Sequence, residues 1–378
     1  MMTGWKRLAG VAIAGMTLVQ FALTAQADDW ADCTSTDVDV SINGCSAVID
    51  AGTGTAKNVA KAYSNRGNAY YSKGDHDRAI ADFDRAIALY PKDESFYFHR
   101  GRAHYSKGNY RLAIDDYSQS IALYPNSASA YYNRGLAYYG EGDYGRAIED
   151  YGQAIGIDPK RANAYYSRGQ AHYGKGETDR AIEDYGHAIE LDPGYANAYY
   201  QRGNAYLDKD DTDRAIEDYG RTIVLAPEFA DAYYHRGIAY RRKGDNGLAI
   251  EDYGRAIALN PKDAYFLNGR CFARAVAGTD LDLARADCDE ALALSKDDPG
   301  TLDSRGLVGI KQGLFDKAWA DYNAAHQAKP EIADFLYGRG IAALGLRRTE
   351  EGNADLAAAM KLNGKIAETY AGYGVLPP

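Results

Sequence analysis

The amino-acid sequence predicts an all-α fold, built as an elongated array of repeated helix pairs. One observation is a strict period of 34 residues, at which an Arg-Gly pair recurs through six units; such a period is typical of repeat arrays. A second is that alanine and tyrosine recur at helical spacing in each unit, and each unit ends in a proline, which cannot continue a helix. The recurring pairs are Arg66-Gly67, Arg100-Gly101, Arg134-Gly135, Arg168-Gly169, Arg202-Gly203 and Arg236-Gly237.

Residues 1–27 have the features of a secretory signal peptide. The basic residues Lys6 and Arg7 precede an apolar stretch at 8–23, and Ala27 completes a small-x-small cleavage pattern. A transmembrane anchor is the alternative, but these 16 residues fall short of the roughly 20 apolar residues that span a bilayer. We expect cleavage after Ala27, no stable membrane insertion afterwards, and a soluble product exported to the periplasm or, alternatively, secreted.

Net charge limits the kinds of partner that we expect. The 378 residues have a formal net charge of −10 at pH 7, and loss of Lys6 and Arg7 with the leader would make it more negative. Nucleic acids and anionic membranes attract basic surfaces. We therefore expect neither as a main partner.

The four cysteines invite disulfide pairing in an exported chain. Local spacing favours Cys33 with Cys45 and Cys271 with Cys288; the alternative is four buried thiols that behave as small apolar residues. No spacing is of the Cys-x-x-Cys type, so the sequence supports neither zinc binding nor thioredoxin-like chemistry.

The period divides the mature chain into four segments. Residues 28–59 are expected to form an N-terminal cap, with a truncated repeat and a Gly-rich linker, and 60–263 form six regular repeats. Three divergent repeats follow at 264–366, the first with one extra residue in its turn, and a polar capping helix and tail close the chain at 367–378. Inside a repeat, an aspartate such as Asp75, directly after the glycine of the turn, is placed to cap the second helix.

The repeats resemble the tetratricopeptide repeat. In the third regular repeat the residues at the family's characteristic positions are Tyr131, Arg134, Gly135, Tyr138, Ala147, Tyr151 and Pro159. Only Arg134 departs from the pattern, which usually has leucine there. The resemblance covers Ala60 to about Ile366 and implies a right-handed α-solenoid superhelix of antiparallel helix pairs, with the first helix of each pair on the concave surface. It also implies a non-catalytic protein–protein interaction scaffold or adaptor.

A search for catalytic chemistry finds only features that the repeat or a linker explains. The histidines fall in repeat columns or variable positions, and the paired acids of the second helices recur in repeat after repeat. A glycine-rich stretch at 52–57 lacks the strand and the Lys-Ser/Thr ending of a phosphate loop, and Ile42 stands where a calcium loop requires glycine. We expect no enzyme activity, catalytic residue, metal or cofactor.

The predicted concave face combines aromatic rings with amide and imidazole groups. An extended peptide would find stacking surfaces and hydrogen-bonding groups there. Two alternatives stay open: the tyrosines pack between neighbouring helices, or the aromatic groove binds glycan in a cell-wall-acting protein. The predicted groove residues are Asn65, Asn68, Tyr71, Phe98, His99, Tyr105, Tyr132, Asn133, Tyr139, Tyr166, Gln170, Tyr200, Gln201, Asn204, Tyr234, His235 and Arg241.

Two further features involve basic residues. Arg241, Arg242 and Lys243, with His235 nearby, form a basic patch that could bind an anionic group or could be a solvated turn. The recurring arginine, by contrast, does not vary among the regular repeats while its groove neighbours do. We predict that Arg134 pairs with Asp150 of the facing helix, stacks on tyrosine and belongs to the scaffold.

Overall fold

The computed structural model describes residues 28–378, and the predicted signal peptide at 1–27 lies outside the described residues. Every regular element within 28–378 is a helix, as predicted. The chain forms two compact units that divide after Leu191, and each is described separately.

The N-terminal compact unit contains ten described helices, and its regular repeats are the pairs α3/α4, α5/α6, α7/α8 and α9/α10. Each second helix in the first three pairs also packs against the first helix of the next pair, and α2 packs on α3. The helices are α1 (28–33), α2 (Val38–Ala51), α3 (Ala56–Ser72), α4 (His76–Leu89), α5 (Glu94–Ser106), α6 (Tyr110–Leu123), α7 (Ala128–Gly140), α8 (Tyr144–Ile157), α9 (Ala162–Gly174) and α10 (Thr178–Leu191).

The C-terminal compact unit continues the pattern with five helix pairs and one final short helix. The pairs are α11 (Ala196–Asp208) with α12 (Thr212–Leu225), α13 (Ala230–Lys243) with α14 (Asn246–Leu259), α15 (Ala264–Ala277) with α16 (Leu281–Leu294), α17 (Pro299–Lys311) with α18 (Phe315–Ala328) and α19 (Ala333–Gly345) with α20 (Thr349–Leu362). The short helix is α21 (Ile366–Gly372), which packs against α19 and α20.

Local sequence explains where the helices start and how closely they approach. Gly142 adopts φ +80° in the turn between α7 and α8, and the side chain of Asp143 accepts a hydrogen bond from the N–H of Arg146 at the start of α8. Deeper in the pair, a Cβ on Gly135 would lie 2.8 Å from Cε1 of Tyr151. Glycine at this position therefore lets the tyrosine of the second helix pack under the first.

The predicted arginine–aspartate pairs are confirmed. Nε and Nη2 of Arg134 each donate a hydrogen bond of 2.7 Å to the carboxylate of Asp150, which is buried, and the guanidinium lies 5.5 Å from the ring centroid of Tyr131. A bidentate pair of this kind satisfies a charge that would be costly to bury alone. The same pairing holds in other repeats, as Arg66–Asp82, Arg100–Asp116, Arg168–Asp184, Arg202–Asp218, Arg236–Asp252, Arg270–Asp287, Arg305–Asp321 and Arg339–Asp355.

Both predicted cysteine pairs lie at bonding distance. The sulfur atoms of Cys33 and Cys45 are 2.05 Å apart and join α1 to α2 in the truncated repeat. Those of Cys271 and Cys288 are 2.00 Å apart and join α15 to α16. All four cysteines are buried, and no cysteine of the described chain is free.

From the sequence we expected the end of the chain to be a polar cap on the last helix pair. The structure shows that it also contributes apolar residues to the core. Ile366 and Tyr370 of α21 and Val375 beyond it are buried in the apolar core of the last pairs. The segment is therefore anchored by apolar and aromatic side chains. Within residues 28–378, no helix is long and apolar enough to cross a membrane.

Candidate functional site

The predicted groove residues lie on the first helices of the pairs and are all partly exposed. In the N-terminal compact unit they lie on α3, α5, α7 and α9, and in the C-terminal compact unit on α11 and α13. Partial exposure leaves surface for a ligand while the rest of each side chain packs. Their contact with a partner stays a prediction.

The aromatic ladder on this face packs on the helices behind it. The ring of Phe98 lies 5.8 Å from that of Tyr117, and Tyr132 lies 5.7 Å from Tyr151, each pair joining the first helix to its own second helix. A second row does the same at the turn, where Tyr139 lies 5.2 Å from Tyr144. The ladder rings are therefore held by packing contacts and still keep an exposed edge.

Hydrogen bonds between neighbouring first helices also hold the ladder. The hydroxyl of Tyr71 on α3 lies 3.0 Å from Oγ of Ser106 on α5, and that of Tyr132 on α7 lies 3.2 Å from Oγ of Ser167 on α9. Asn133 donates from Nδ2 to the carbonyl of Ser129. Some of the polar groups predicted to meet a ligand are thus occupied by the scaffold.

Around His99 this face presents aromatic rings and one guanidinium, that of Arg102. Burial lowers the pKa of His99 to about 4, so this imidazole is neutral at pH 7. Arg102 is charged, and its guanidinium lies 4.7 Å from the ring centroid of Tyr71. A ligand would meet mainly aromatic and amide groups here.

A pocket of about 300 Å³ extends this face toward the Cys33–Cys45 pair. Its lining includes Asn65 and Asn68 of α3 together with hydroxyl residues of the cap. The cap residues were not predicted, because a truncated repeat has no complete first helix from which to read a groove column. The hydroxyl residues that line it are Thr34, Ser35, Thr36, Ser41 and Ser72.

In the predicted basic patch on α13, two of the three cations pair with acids of the same chain. Nη1 of Arg242 donates to the carbonyl of Leu207 at 2.8 Å and to Oδ1 of Asp210 at 3.1 Å, and Lys243 pairs with Asp213 at 2.6 Å. These acids come from the turn of the preceding repeat and neutralise the two cations. Arg241 instead lies over the ring of Phe272 at 5.1 Å.

The last three pairs carry a site that sequence reasoning missed. The ring of Tyr373 packs edge-on against Phe272 at 5.5 Å, and that of Tyr370 lies 4.8 Å from Tyr337. The hydroxyl of Tyr370 donates to the carbonyl of Asp334 at 2.9 Å and lies 3.3 Å from that of Tyr322. Phe272 and Tyr337 stand in the repeat columns of Asn68 and Phe98, so the groove columns here are covered by the chain's own C-terminal segment.

The covered groove also changes the pKa of an acidic residue, Asp303. Burial, together with the neighbouring charge of Asp334, raises the pKa of Asp303 to about 8. Asp303 occupies the ladder column that holds Phe98 and Tyr132 in the regular repeats. Within 28–378, no group of three or more histidine, cysteine or acidic side chains is arranged to hold a metal ion.

Comparison with protein families identifies the repeats. Models described as "Tetratricopeptide repeat" together match well over half of the chain. The matched segments are 60–93, 98–162, 132–196, 200–264 and 238–299.

Solved structures similar to this chain include tetratricopeptide repeat proteins. MamA is 33% identical, over 43% of this chain and 95% of its own, with a TM-score of 0.42. YrrB, a tetratricopeptide repeat protein with an unusual peptide-binding site, is 23% identical over 50% of this chain and 97% of its own, with a TM-score of 0.44. A tetratricopeptide repeat protein from Parabacteroides merdae is 18% identical over 66% and 99%, with a TM-score of 0.53, which shows the fold alone. No curated protein matches.

Proposed function

The chain belongs to the tetratricopeptide repeat family, and we propose that it is a non-catalytic scaffold or adaptor of the cell envelope. In this proposal, the aromatic and amide face of α3, α5, α7 and α9 binds a peptide segment of a partner protein. Proteins of this family bind protein or peptide partners. The observation that carries the proposal is the ladder of partly exposed rings, Phe98, Tyr132 and Tyr166, flanked by Asn133 and Gln170.

The chemistry of this face suits a largely uncharged segment. Aromatic rings bind apolar and aromatic side chains, and amide groups such as Gln170 hydrogen-bond a peptide backbone. His99 is neutral at pH 7 because burial lowers its pKa. Two cysteine pairs at bonding distance agree with an oxidising compartment, which supports the proposed periplasmic location.

The test is capture of partners from envelope extract with mature protein, residues 28–378, and with a Tyr132→Ala/Tyr166→Ala variant. After cross-linking, we expect the wild type to retain partners attached to α5, α7 or α9. The variant should not retain them, because the two removed rings supply the stacking surface. Tyr124→Ala is the matched control, since this tyrosine is half exposed in the turn after α6. Circular dichroism should show that the variants keep their helical content.

Equal capture by the wild type and the ladder variant would contradict the proposal. Ladder-dependent retention of cell-wall glycan fragments in place of proteins would favour the glycan-binding alternative, for which the uncharged hydroxyl pocket at Asn65 and Asn68 is the specific structural support.

A further inference from the structure

A column of aromatic residues lies beneath the groove on the second helices of most pairs, and Tyr117, Tyr151, Tyr219 and Tyr322 belong to it. We call these four the floor tyrosines. Each is almost completely buried, and its ring lies against a glycine of the first helix. Phe83 fills the same column in the first regular repeat and is equally buried. Packing at this position therefore requires the ring and not the hydroxyl.

The hydroxyls of the floor tyrosines differ in their partners. In the C-terminal compact unit, Tyr219 donates to Oδ1 of Asn204 at 2.8 Å, and the hydroxyl of Tyr322 lies 3.3 Å from that of Tyr370. In the N-terminal compact unit, the hydroxyls of Tyr117 and Tyr151 are buried without a hydrogen bond.

The polar groups near these two hydroxyls also serve other residues. The Ser167 hydroxyl lies close enough to Tyr151 to interact with its hydroxyl, and it is shared with Tyr132, whose hydroxyl lies 3.2 Å away. Arg102 influences Tyr117 through its charge but lies over the ring of Tyr71. A buried hydroxyl without a partner costs about 1–3 kcal/mol, and phenylalanine would fill the position without that cost. Tyr117, which has no such neighbour, and Tyr151, which shares its neighbour with Tyr132, therefore indicate that a hydrogen-bonding group is supplied from outside the scaffold.

The C-terminal compact unit contains a ligand-like segment above a floor tyrosine, Tyr322, whose own repeat has Asp303 in the ladder column in place of a ring. Tyr370 brings its hydroxyl to the floor tyrosine Tyr322 and its ring to Tyr337 in the ladder column. Three residues later, Tyr373 packs on Phe272 in the neighbouring groove column. Tyr370 is 2% exposed and Val375 is 5% exposed, so this short segment is bound as tightly as the core.

We propose that the groove of the N-terminal compact unit recognises a tyrosine-bearing peptide segment of its partner. The hydroxyl of the partner's tyrosine forms a hydrogen bond with Tyr117 or Tyr151, and its ring packs on Phe98 or Tyr132. Tyr370 makes both kinds of contact in the C-terminal compact unit, with Tyr322 and Tyr337. Because Tyr117 and Tyr151 are buried beneath the ladder rings, binding requires these partly exposed rings to move aside and admit the phenol group. This inference rests on the proposed function and specifies its partner.

The test uses a synthetic peptide with the sequence of residues 364–378 as the probe, because it contains the tyrosine pair that the C-terminal groove accepts. Fluorescence anisotropy measures its binding to the protein of residues 28–378. We expect Tyr117→Phe/Tyr151→Phe to weaken binding about tenfold, the value of one neutral hydrogen bond. A probe in which both tyrosines are phenylalanine should show the same loss.

Tyr219→Phe is the matched control and should leave the affinity for the probe unchanged, because that hydroxyl already bonds Asn204 within the C-terminal compact unit. All three substitutions keep the ring, and thermal unfolding verifies that each variant folds. No measurable binding of the probe, or equal binding by wild type and Tyr117→Phe/Tyr151→Phe, would overturn the inference.

The two hypotheses fail separately. If capture of envelope partners depends on Tyr132 and Tyr166 while the floor hydroxyls have no effect on the probe, the scaffold proposal stands and tyrosine recognition is wrong. If capture does not depend on the ladder, the proposed function itself is wrong.

Discussion

The groove of the N-terminal compact unit and the groove of the last three helix pairs use the same repeat columns in different ways. In the first, Phe98 and Tyr132 are partly exposed above unbonded floor hydroxyls. In the second, Phe272 and Tyr337 are covered by Tyr373 and Tyr370 of the same chain. The comparison shows that a column of the repeat is a binding surface or a packing surface according to what covers it.

The shared scaffold makes this comparison possible. Arg134–Asp150 in the N-terminal compact unit and Arg305–Asp321 in the C-terminal compact unit have the same bidentate geometry. Differences between the two grooves therefore arise from the groove side chains and the C-terminal segment, and the framework is common to both.

The largest effect on stability should come from removing the aromatic side chain that anchors the covering segment. Tyr370→Ala should lower the free energy of unfolding of the last pairs by about 3–5 kcal/mol, because a fully buried aromatic ring and its hydrogen bonds are lost. Tyr132→Ala on the open groove should cost about 1 kcal/mol, since this ring is partly exposed. Hydrogen exchange measured by mass spectrometry on α19 and on α7 checks both. Similar losses at the two sites would contradict the distinction between covered and open grooves.

A second large effect tests whether the framework is common. Arg134→Leu should destabilise by about 3 kcal/mol because Asp150 stays buried without its partner, whereas Arg134→Leu/Asp150→Leu should stay within about 1 kcal/mol of the wild type. The equivalent changes at Arg305 and Asp321 should behave alike. Urea unfolding of both series gives the values. If Arg134→Leu leaves stability intact but abolishes partner binding, the arginine belongs to the site and not to the scaffold.

The two grooves should respond to pH in opposite directions, by a few kcal/mol each at most. Burial lowers the pKa of His99 from 6.5 to about 4, so the unfolded state binds more protons and this part of the stability is lost as pH falls from 6.5 toward 4. The pKa of Asp303 is raised from 3.8 to about 8, so the folded state binds more protons and stability falls as pH rises from 4 toward 8.

Local exchange rates between pH 5 and 8 measure both slopes. His99→Gln should flatten the slope around α5, because Gln201 fills the same column without titrating, and Asp303→Asn should flatten that around α17. An unchanged slope in either variant would show that another group titrates there.

The smallest effect concerns the floor hydroxyls in the absence of ligand. Tyr117→Phe should leave stability unchanged or raise it by about 1 kcal/mol, because an unbonded buried hydroxyl is removed. Tyr322→Phe should lower it by about 1 kcal/mol, because its contact with Tyr370 is lost. Thermal unfolding of both variants decides this, and a destabilising Tyr117→Phe would mean that its hydroxyl is already satisfied.

Comparison of repeats within one sequence predicts the framework well. Residues that recur unchanged, such as Arg134 and Asp150, must make the same contact in each repeat, and the structure confirms their pairing. The groove candidates lie on first helices and are partly exposed, as their variable columns indicate. The sequence did not show that Asp210 and Asp213, one repeat earlier, lie beside Arg242 and Lys243, which favours a solvated turn over an anion site in the basic patch.

The sequence by itself determined the helices, their pairing and the ion pairs, because each depends on contacts at a spacing that the period repeats. Only the tertiary structure decided that Tyr370 and Tyr373 lie in the last groove, and that Tyr117 and Tyr151 bury hydroxyls without partners. A tail of a few residues has no period to read, and the partner of a hydroxyl depends on packing between helices. The physical reason is that the regular contacts are local and recur in each repeat. Coverage of the groove occurs at one place only, and it depends on residues that are distant in sequence and meet in the folded chain.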